Sequence, residues 1–364
     1  MSRFWNQTTK GLSPYVAGEQ PSADRRVIKL NTNENPYPPT PRVREYLREV
    51  DPTILRKYPD PSSTKLREAI AKFYDVAPDQ VFCGNGSDEV LALAFRAFFE
   101  TGADAPPLSV CDVTYSFYPV YAKLYDIPLR IIPLKPDYTV DVEAFLERSG
   151  GVVLANPNAP TGMATPAAEL IRIIESDPDR VVLIDEAYVG FGTDTLAKLI
   201  EKYDNLLVVG TVSKSRSLAG LRVGYAIGSR QLVDGLCRVR DSFNSYPVDS
   251  LAAAIALFSF EDKKWYDETR ARIVKTREEA VATLRDMGFR VLDSSTNFVF
   301  AEPPDGACSA ATLYQKLKER DILVRYFSKP RIEGFLRISV GDDCEMRALT
   351  AAIGEILAEE GVKK

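Results

Sequence analysis

Between residues 81 and 228, short apolar runs alternate with amphipathic stretches, and this alternation limits the folds open to the chain. Turn residues bound each apolar run, which is typical of buried strands. Leu91, Phe95 and Phe98 share one face of a helix predicted from residue 88 to 99. The predicted strands are 81–83, 108–111, 152–155, 181–184, 206–210 and 223–227. Together these elements predict an α/β fold with a mostly parallel sheet covered by helices.

The pattern changes after residue 260, where a smaller α+β domain is expected. Its predicted elements are helices 265–287 and 309–320, a last helix from about Cys344, and strands 289–292, 297–301, 322–326 and 335–339. Earlier in the chain, Thr165 and Pro166 are typical of a helix N-cap and first turn. The Pro- and Asn-rich N-terminus predicts an extended arm. The domains expected are therefore an arm (1–38), a large domain (39–255) and a small domain (256–364).

Composition excludes several classes of function. A net charge of −5 spread over 364 residues does not favour binding to nucleic acid or to a membrane surface. The longest apolar run, 251–258, is too short to cross a bilayer, and the polar N-terminus does not resemble a signal peptide. Five scattered cysteines predict thiols in a reducing cytosol. Because histidine is absent, we expect neither a metal site nor a histidine-based triad.

The stretch from Ser213 to Arg222 places one lysine, Lys214, among small hydroxyl residues and eight residues before an arginine. A lysine amine condenses with an aldehyde to form an imine, while hydroxyls and arginine bind phosphate. A small molecule that carries both groups is pyridoxal phosphate, which this stretch predicts as the cofactor. A solvated surface lysine in a Ser-rich turn remains the alternative interpretation.

Further residues are expected at the carboxyl edge of the sheet, where ligands of open α/β folds bind. Asp185 follows a predicted strand and would keep a pyridine nitrogen protonated, although a helix cap explains it too. Gly86 and its neighbours favour an anion cradle or, alternatively, a structural turn. Asn158 lies in a turn able to present an amide, in which the prolines could be cis. Tyr115 would stack on a flat ring or simply pack in the core.

Two arginines, Arg325 and Arg337, lie within apolar strands of the small domain. An arginine there costs free energy unless it meets an anion, so both are candidates for binding a phosphate or carboxylate. An internal salt bridge of one of them is the alternative.

The motifs then resemble a known family. GNGSDE at 84–89, NPNAPTG at 156–162, IDEAY at 184–188 and SKSRSLAGLRVGY at 213–225 resemble, in order and spacing, the fold-type I pyridoxal-phosphate aminotransferases. The segments LNTNENPYP at 30–38, KYPD at 57–60 and LRISVG at 336–341 narrow the resemblance to histidinol-phosphate aminotransferases. It runs from about Leu12 to Ile356 and is more specific for fold and cofactor than for substrate.

The resemblance implies a role for each matching residue. Lys214 would carry the cofactor and move the proton, Asp185 would pair with the ring nitrogen, and Tyr115 would stack on the ring. Tyr188 and Asn158 would contact the phenolic oxygen of the cofactor. The phosphate would be held by Gly86, Ser87, the backbone beside Asp88, Thr211, Ser213 and Arg222, and by Tyr58 of the other subunit of an obligatory homodimer.

The resemblance also implies the substrates, histidinol phosphate and glutamate with 2-oxoglutarate as its product. Arg325 and Arg337 would bind their phosphate and carboxylate, with Tyr15 and Asn33 completing the pocket. One departure is that Ala159 stands where many relatives have Asn before Pro-Thr-Gly, which leaves Asn158, Asn156 or Tyr188 for the phenolic oxygen. An aromatic amino-acid aminotransferase, a threonine-phosphate decarboxylase and a non-catalytic cofactor-binding module remain alternatives.

Overall fold

The computed structural model describes residues 2–15, 18–21 and 26–360, so positions 16, 17 and 22–25 of the predicted arm lie outside the described residues. The strands are β1 Ile28–Lys29, β2 Val81–Gly84, β3 Leu108–Cys111, β4 Leu129–Ile132, β5 Gly151–Ala155, β6 Val182–Asp185, β7 Leu206–Thr211, β8 Gly224–Gly228, β9 Arg290–Val291, β10 Phe298–Glu302, β11 Ile322–Leu323, β12 Arg325–Tyr326 and β13 Leu336–Ser339. The helices are α1 Gln7–Gly11, α2 Pro41–Glu49, α3 Thr64–Tyr74, α4 Gly86–Phe98, α5 Phe117–Tyr125, α6 Val142–Leu146, α7 Ala167–Glu175, α8 Arg230–Asp241, α9 Ser250–Glu261, α10 Lys263–Asp286, α11 Ala310–Glu319 and α12 Asp343–Glu359.

The large unit is built on a seven-stranded sheet in the order β2-β8-β7-β6-β5-β3-β4. Only β8 runs opposite to the other strands, which confirms the predicted mostly parallel α/β sheet. The registers Ala155↔Asp185 and Asp185↔Val209 bring the carboxyl ends of β5, β6 and β7 to one edge. Residues that follow these strands therefore meet there.

The apolar strand sequences produce this sheet because both of its faces are buried. Alternate residues of β5 enter different cores: Val152 and Leu154 pack on one face, and Val153 packs on the other. Fully buried strands have no polar face, which explains their continuous apolar runs.

The small unit contains a four-stranded antiparallel sheet, β12-β13-β10-β9, and its own apolar core. Helices α10, α11 and α12 contribute to that core. The predicted arm joins this unit, because β1 pairs in parallel with β11 and Leu30 is buried in the small core.

Several sequence expectations need correction. The helix expected to begin with Thr165 as N-cap begins at Ala167, and Thr165 donates its N–H to Asn156 Oδ1 instead. The single strand expected at 322–326 is interrupted between β11 and β12. The arm is not extended throughout, since it contains the helix α1. The expected domain boundary after residue 255 falls inside α9, whose Ala256 packs in a core of the large unit.

Strand β4 is absent from the expectations because it lies at the edge of the sheet and is only partly buried. Its Arg130 interrupts the apolar run that identifies a buried strand, and Ile131 is half-exposed. Among the described residues, no helix is both long enough and apolar enough to cross a membrane.

Candidate active site

A cavity of about 190 Å³ opens where the carboxyl ends of β5, β6 and β7 face the small unit and the N-terminal segment. Most of the residues selected from the sequence line it. They are Tyr15, Asn33, Ser87, Asp88, Tyr115, Asp185, Tyr188, Thr211, Ser213, Lys214, Arg222, Arg325 and Arg337. Side chains from three separate parts of the chain therefore converge on one volume.

Lys214 enters the cavity from the loop that follows β7. Its Nζ donates a 3.1 Å hydrogen bond to the Thr32 carbonyl and lies 5.8 Å from the centre of the Tyr188 ring. Burial, assisted by the positive charge of Arg337, lowers the pKa of the Lys214 amine to about 8. A much larger share of this amine is neutral near pH 7 than for an exposed lysine, so it is prepared to attack an aldehyde.

Asp185 ends β6, and its buried carboxylate lines the same cavity. Oδ2 accepts a 2.8 Å hydrogen bond from Tyr118 Oη, and Oδ1 accepts one of 3.1 Å from the Ala187 N–H. Burial nevertheless raises the pKa of Asp185 to about 6. This carboxylate forms no ion pair with any residue that the structure describes, and a protonated ring nitrogen would supply a cationic partner.

A site that favours an anion lies at the N-terminus of α4. Ser87, Thr211, Ser213 and Arg222 face the cavity there, and Thr211 Oγ1 donates to Ser213 Oγ at 2.9 Å. Gly86 has φ +80°, and a Cβ on it would lie 2.5 Å from Arg222 Nη2. Only glycine lets the guanidinium approach the first turn of the helix, where free N–H groups favour a phosphate.

Asp88 contributes its side chain as well as its backbone, which the sequence did not indicate. Its carboxylate accepts from Arg222 Nη2 at 3.0 Å and from Tyr115 Oη at 2.8 Å. These contacts orient the arginine and the aromatic ring at the cavity wall.

The small unit supplies the arginine pair. Arg325 and Arg337 face each other in the register of β12 and β13, and both line the cavity. Arg337 Nη2 donates to the Asn31 carbonyl at 2.9 Å, whereas its buried Nε has no hydrogen-bond partner among the described residues. Tyr15 stacks on Phe117 at 4.4 Å between ring centres, at the mouth of the cavity. This end of the cavity fits a substrate anion.

Asn158 is not brought into the cavity. Its Nδ2 donates to the Val113 carbonyl and to Thr161 Oγ1, both at 3.0 Å, while the methyl group of Ala159 lines the wall. Asn156 is also engaged elsewhere, through Thr165. Of the three residues considered for the phenolic oxygen, only Tyr188 lines the cavity.

The cavity therefore offers a fitting group for each reactive part of pyridoxal phosphate. The Lys214 amine, with its lowered pKa, suits the aldehyde, the carboxylate of Asp185 suits the ring nitrogen, and the cradle beside Gly86 and Arg222 suits the phosphate.

Comparisons with known proteins agree with this geometry. Residues 25–353 match the family described as aminotransferase class I and II. The chain is 51% identical over 361 residues to "Histidinol-phosphate aminotransferase 1" of Burkholderia pseudomallei, covering 98% of this chain and 100% of that protein. A Clostridium acetobutylicum histidinol-phosphate aminotransferase is 46% identical, with 98% and 100% covered. The chain belongs to the histidinol-phosphate aminotransferases, within the class I and II aminotransferase family.

The fold of this aminotransferase is shared with solved structures. A histidinol-phosphate aminotransferase from Sinorhizobium meliloti, solved in complex with pyridoxal-5′-phosphate, has a TM-score of 0.88 at 24% identity and covers 99% of both chains. An L-threonine-O-3-phosphate decarboxylase from Porphyromonas gingivalis gives 0.78 at 22% identity and covers 91% of this chain and 100% of that one. At such identities, the likeness shows the fold alone.

Tyr118 is a residue of this aminotransferase's site that the sequence analysis did not select. It is fully buried on α5 and holds Asp185 through its hydroxyl. A tyrosine three residues after Tyr115, on a helix that starts at the sheet edge, was the available signal.

Tyr58 lies outside the cavity of this chain. Its side chain is 82% exposed and stacks on Tyr246 at 4.7 Å between ring centres. Leu55 and Phe243, each three residues from one of these tyrosines in the sequence, are also exposed.

Proposed function

We propose that this aminotransferase transfers the amino group of L-glutamate to 3-(imidazol-4-yl)-2-oxopropyl phosphate, giving L-histidinol phosphate and 2-oxoglutarate, with pyridoxal phosphate as its cofactor. The single observation that carries the proposal is the convergence of Lys214 with two arginines, Arg325 and Arg337, on one cavity. One amine and a separate anion site match substrates that each carry an amino or keto group and a phosphate or carboxylate. Close relatives that bear the name of this activity support the assignment.

The roles in the reaction would be divided between the cofactor and three parts of the site, which are Lys214, Asp185 and the residues beside α4. Pyridoxal phosphate, when bound, withdraws electrons from the α carbon of an attached amine. Asp185 stabilises the positive charge of the ring nitrogen, since unit charges 4 Å apart attract by roughly 4 kcal/mol at an effective dielectric near 20. Ser87, Thr211, Ser213 and Arg222 would bind the phosphate, and Tyr115 would pack on the ring. Lys214, whose pKa burial lowers to about 8, would take the proton from the α carbon and deliver it to the C4′ carbon of the cofactor, and would move it the opposite way in the other half-reaction.

The arginine pair explains how one site accepts two substrates in turn. The guanidinium groups are planar and offer paired donors to a phosphate or to a carboxylate alike. Burial lowers the pKa of Arg337, so an arriving anion also relieves the cost of a cation held away from water. Tyr15, which lies at the mouth, closes over the imidazole end of the substrate.

Removing Arg325 tests this proposal. In the Arg325→Ala variant, we expect the efficiency of the half-reaction with histidinol phosphate to fall by about 10²-fold, because a hydrogen bond to a charged group contributes up to about 3 kcal/mol. The measurement follows the change in cofactor absorbance after mixing holoenzyme with histidinol phosphate or glutamate. Arg290→Ala is a matched control, since Arg290 lies on β9 of the same sheet and pairs with Glu302.

The same assay separates the alternative activities. Indifference to Arg325→Ala would remove the argument for anion recognition. A marked preference for phenylalanine or tyrosine over histidinol phosphate would indicate an aromatic amino-acid aminotransferase. Release of CO₂ without a keto acid would indicate a threonine-phosphate decarboxylase.

Our proposal includes a homodimer in which Tyr58 reaches the cofactor phosphate of the other subunit. The stacked, exposed rings of Tyr58 and Tyr246 support it, because large exposed apolar side chains that pack together are typical of protein interfaces. All five cysteines are free thiols, which supports a cytosolic location.

A mixed dimer tests whether Tyr58 acts across the interface. Tyr58→Phe alone is expected to weaken cofactor binding by about tenfold, through the loss of one charge-assisted hydrogen bond. When a Tyr58→Phe subunit is paired with a Lys214→Ala subunit, the one competent site receives an intact Tyr58 from its partner. We expect cofactor binding at that site to match the unsubstituted enzyme in equilibrium titrations of the purified mixed dimer. Weak binding in the mixed dimer, or a monomeric enzyme, would refute the shared site.

A further inference from the structure

Asn33 joins the N-terminal segment, the small unit and the cavity through hydrogen bonds. It has φ +56°, a conformation that asparagine tolerates better than most residues. Its backbone N–H donates to Ser339 Oγ at 2.8 Å, and its carbonyl accepts from Asn297 Nδ2 at 3.0 Å. Its side chain contacts Tyr188 and Ser339, and all of Asn33 is buried. Its amide is thus already engaged, although the sequence suggested that it would line the pocket for the substrate.

The backbone fixes the direction of this chain of hydrogen bonds. A peptide N–H only donates, so Ser339 Oγ must accept from Asn33, and the hydroxyl proton of Ser339 is left for another acceptor. That acceptor is Asn33 Oδ1, at 3.0 Å. With Oδ1 turned to Ser339, Nδ2 faces Tyr188 and donates to its Oη at 2.8 Å. The orientation of the amide follows from the network rather than from the similar shapes of its oxygen and nitrogen.

Tyr188 therefore accepts from Asn33 and keeps its own proton for a different partner. Tyr188 and Ala159 both line the cavity, whereas Asn158 is turned away from it. We propose that Ser339 and Asn33 are positioning residues that make Tyr188 a hydrogen-bond donor to the phenolic oxygen of the bound cofactor. This inference rests on the proposed function, because it requires pyridoxal phosphate at Lys214.

The surrounding charges are compatible with a tyrosine that stays protonated. Burial raises the pKa of Tyr188, and Arg337 and the hydrogen bond from Asn33 only partly oppose that effect. The other charged groups that act on this tyrosine from the cavity are Asp185 and Asp88, and the Lys214 amine lies over its ring. A hydrogen-bond donor to the phenolic oxygen stabilises the anionic form of that oxygen. This stabilisation matters most once the lysine-linked nitrogen has lost its proton. Tyr188 should thereby lower the pH at which that proton leaves.

The test is a pH titration of the absorbance of the purified holoenzyme. In Ser339→Ala, the amide of Asn33 is free to turn and take the tyrosine proton. The midpoint of the titration is the pH at which half of the lysine-linked nitrogens have lost their proton. We expect it to rise by about one pH unit, the equivalent of one hydrogen bond. Tyr188→Phe should raise it at least as much. The double variant should match Tyr188→Phe alone, because both changes remove the same interaction.

Two further variants keep the test independent of folding. Ser109→Ala removes a buried strand hydroxyl that has no hydrogen-bond partner among the described residues, and its midpoint should not move. Asn33→Asp retains the shape, but its carboxylate accepts from both hydroxyls. Its midpoint should rise by more in the native background than in the Tyr188→Phe background.

An unchanged midpoint in Ser339→Ala, or equal shifts in both backgrounds, would overturn the positioning role. Neither result would contradict the proposed function if glutamate still changes the absorbance of the bound cofactor. Absence of a cofactor link at Lys214 would instead reject the proposed function itself.

Discussion

Replacing Lys214 by alanine is expected to lower the rate of transamination by about 10⁴-fold, the upper range for loss of a positioned acid–base group. The side chain lies in the cavity, and its amine makes one hydrogen bond, to the Thr32 carbonyl. Its removal should therefore leave the strands around it unchanged, and the folded enzyme should still bind pyridoxal phosphate. The rate is measured as 2-oxoglutarate formed from glutamate under saturating substrates.

Lys198→Ala is the matched control for this experiment. Lys198 is exposed and pairs with Asp75 on the surface, so its removal should leave turnover within about twofold. Borohydride treatment followed by mass spectrometry locates the lysine that carries the cofactor. An adduct on any other lysine, or turnover in Lys214→Ala near that of the control, would contradict the assignment.

The positions of Lys214 and Asp185 could be predicted because a local sequence pattern identifies each parallel strand, and the ends of such strands lie together in the fold. Each residue follows a short apolar run, and buried parallel strands end at one edge of the sheet. No knowledge of tertiary contacts was required. Thr211 and Ser213 were instead expected from the family resemblance, and the structure places both along the same cavity.

The orientation of the Asn158 side chain could not be predicted from the sequence. The turn that carries it was identified, and both X-Pro bonds in it, Asn156–Pro157 and Ala159–Pro160, are cis. Neighbouring residues of a turn face opposite sides, however, and the sequence does not say which side meets the ligand. Hydrogen bonds to Val113 and Thr161 turn the Asn158 amide away, and these contacts depend on the folded sheet.

Residues distant in sequence are the other class that could not be predicted. Asn33 and Ser339 are 306 positions apart and meet because the N-terminal segment adds to the small unit. Tyr118 is similar, because its apolar surroundings resemble an ordinary core position. Its hydroxyl contact with Asp185 appears only when α5 is placed against the sheet edge.

Asp185→Asn is the second substitution with a large expected effect, and it should act in opposite directions on catalysis and on stability. Loss of roughly 4 kcal/mol of attraction to the ring nitrogen predicts that transamination falls by about 10³-fold. The apoenzyme should respond differently, because a buried carboxylate without a cation is costly. Its pKa is raised from 3.8 to about 6, so the stability linked to this group is full below about pH 4 and is lost as the pH rises through 6.

At pH 7.5 the Asp185→Asn apoenzyme should therefore be more stable than the unsubstituted apoenzyme, by up to about 3 kcal/mol from a shift of roughly two pKa units. Near pH 4 the difference should vanish, since the native carboxyl is then neutral. With pyridoxal phosphate bound at pH 7.5, the order reverses, because only the carboxylate gains from the cationic nitrogen. Urea unfolding at both pH values, with and without cofactor, measures all three comparisons. Asp293→Asn, at a carboxylate 91% exposed, should change none of them. An Asp185→Asn apoenzyme that is less stable at pH 7.5 would show that the Tyr118 and Ala187 contacts outweigh the cost of burial.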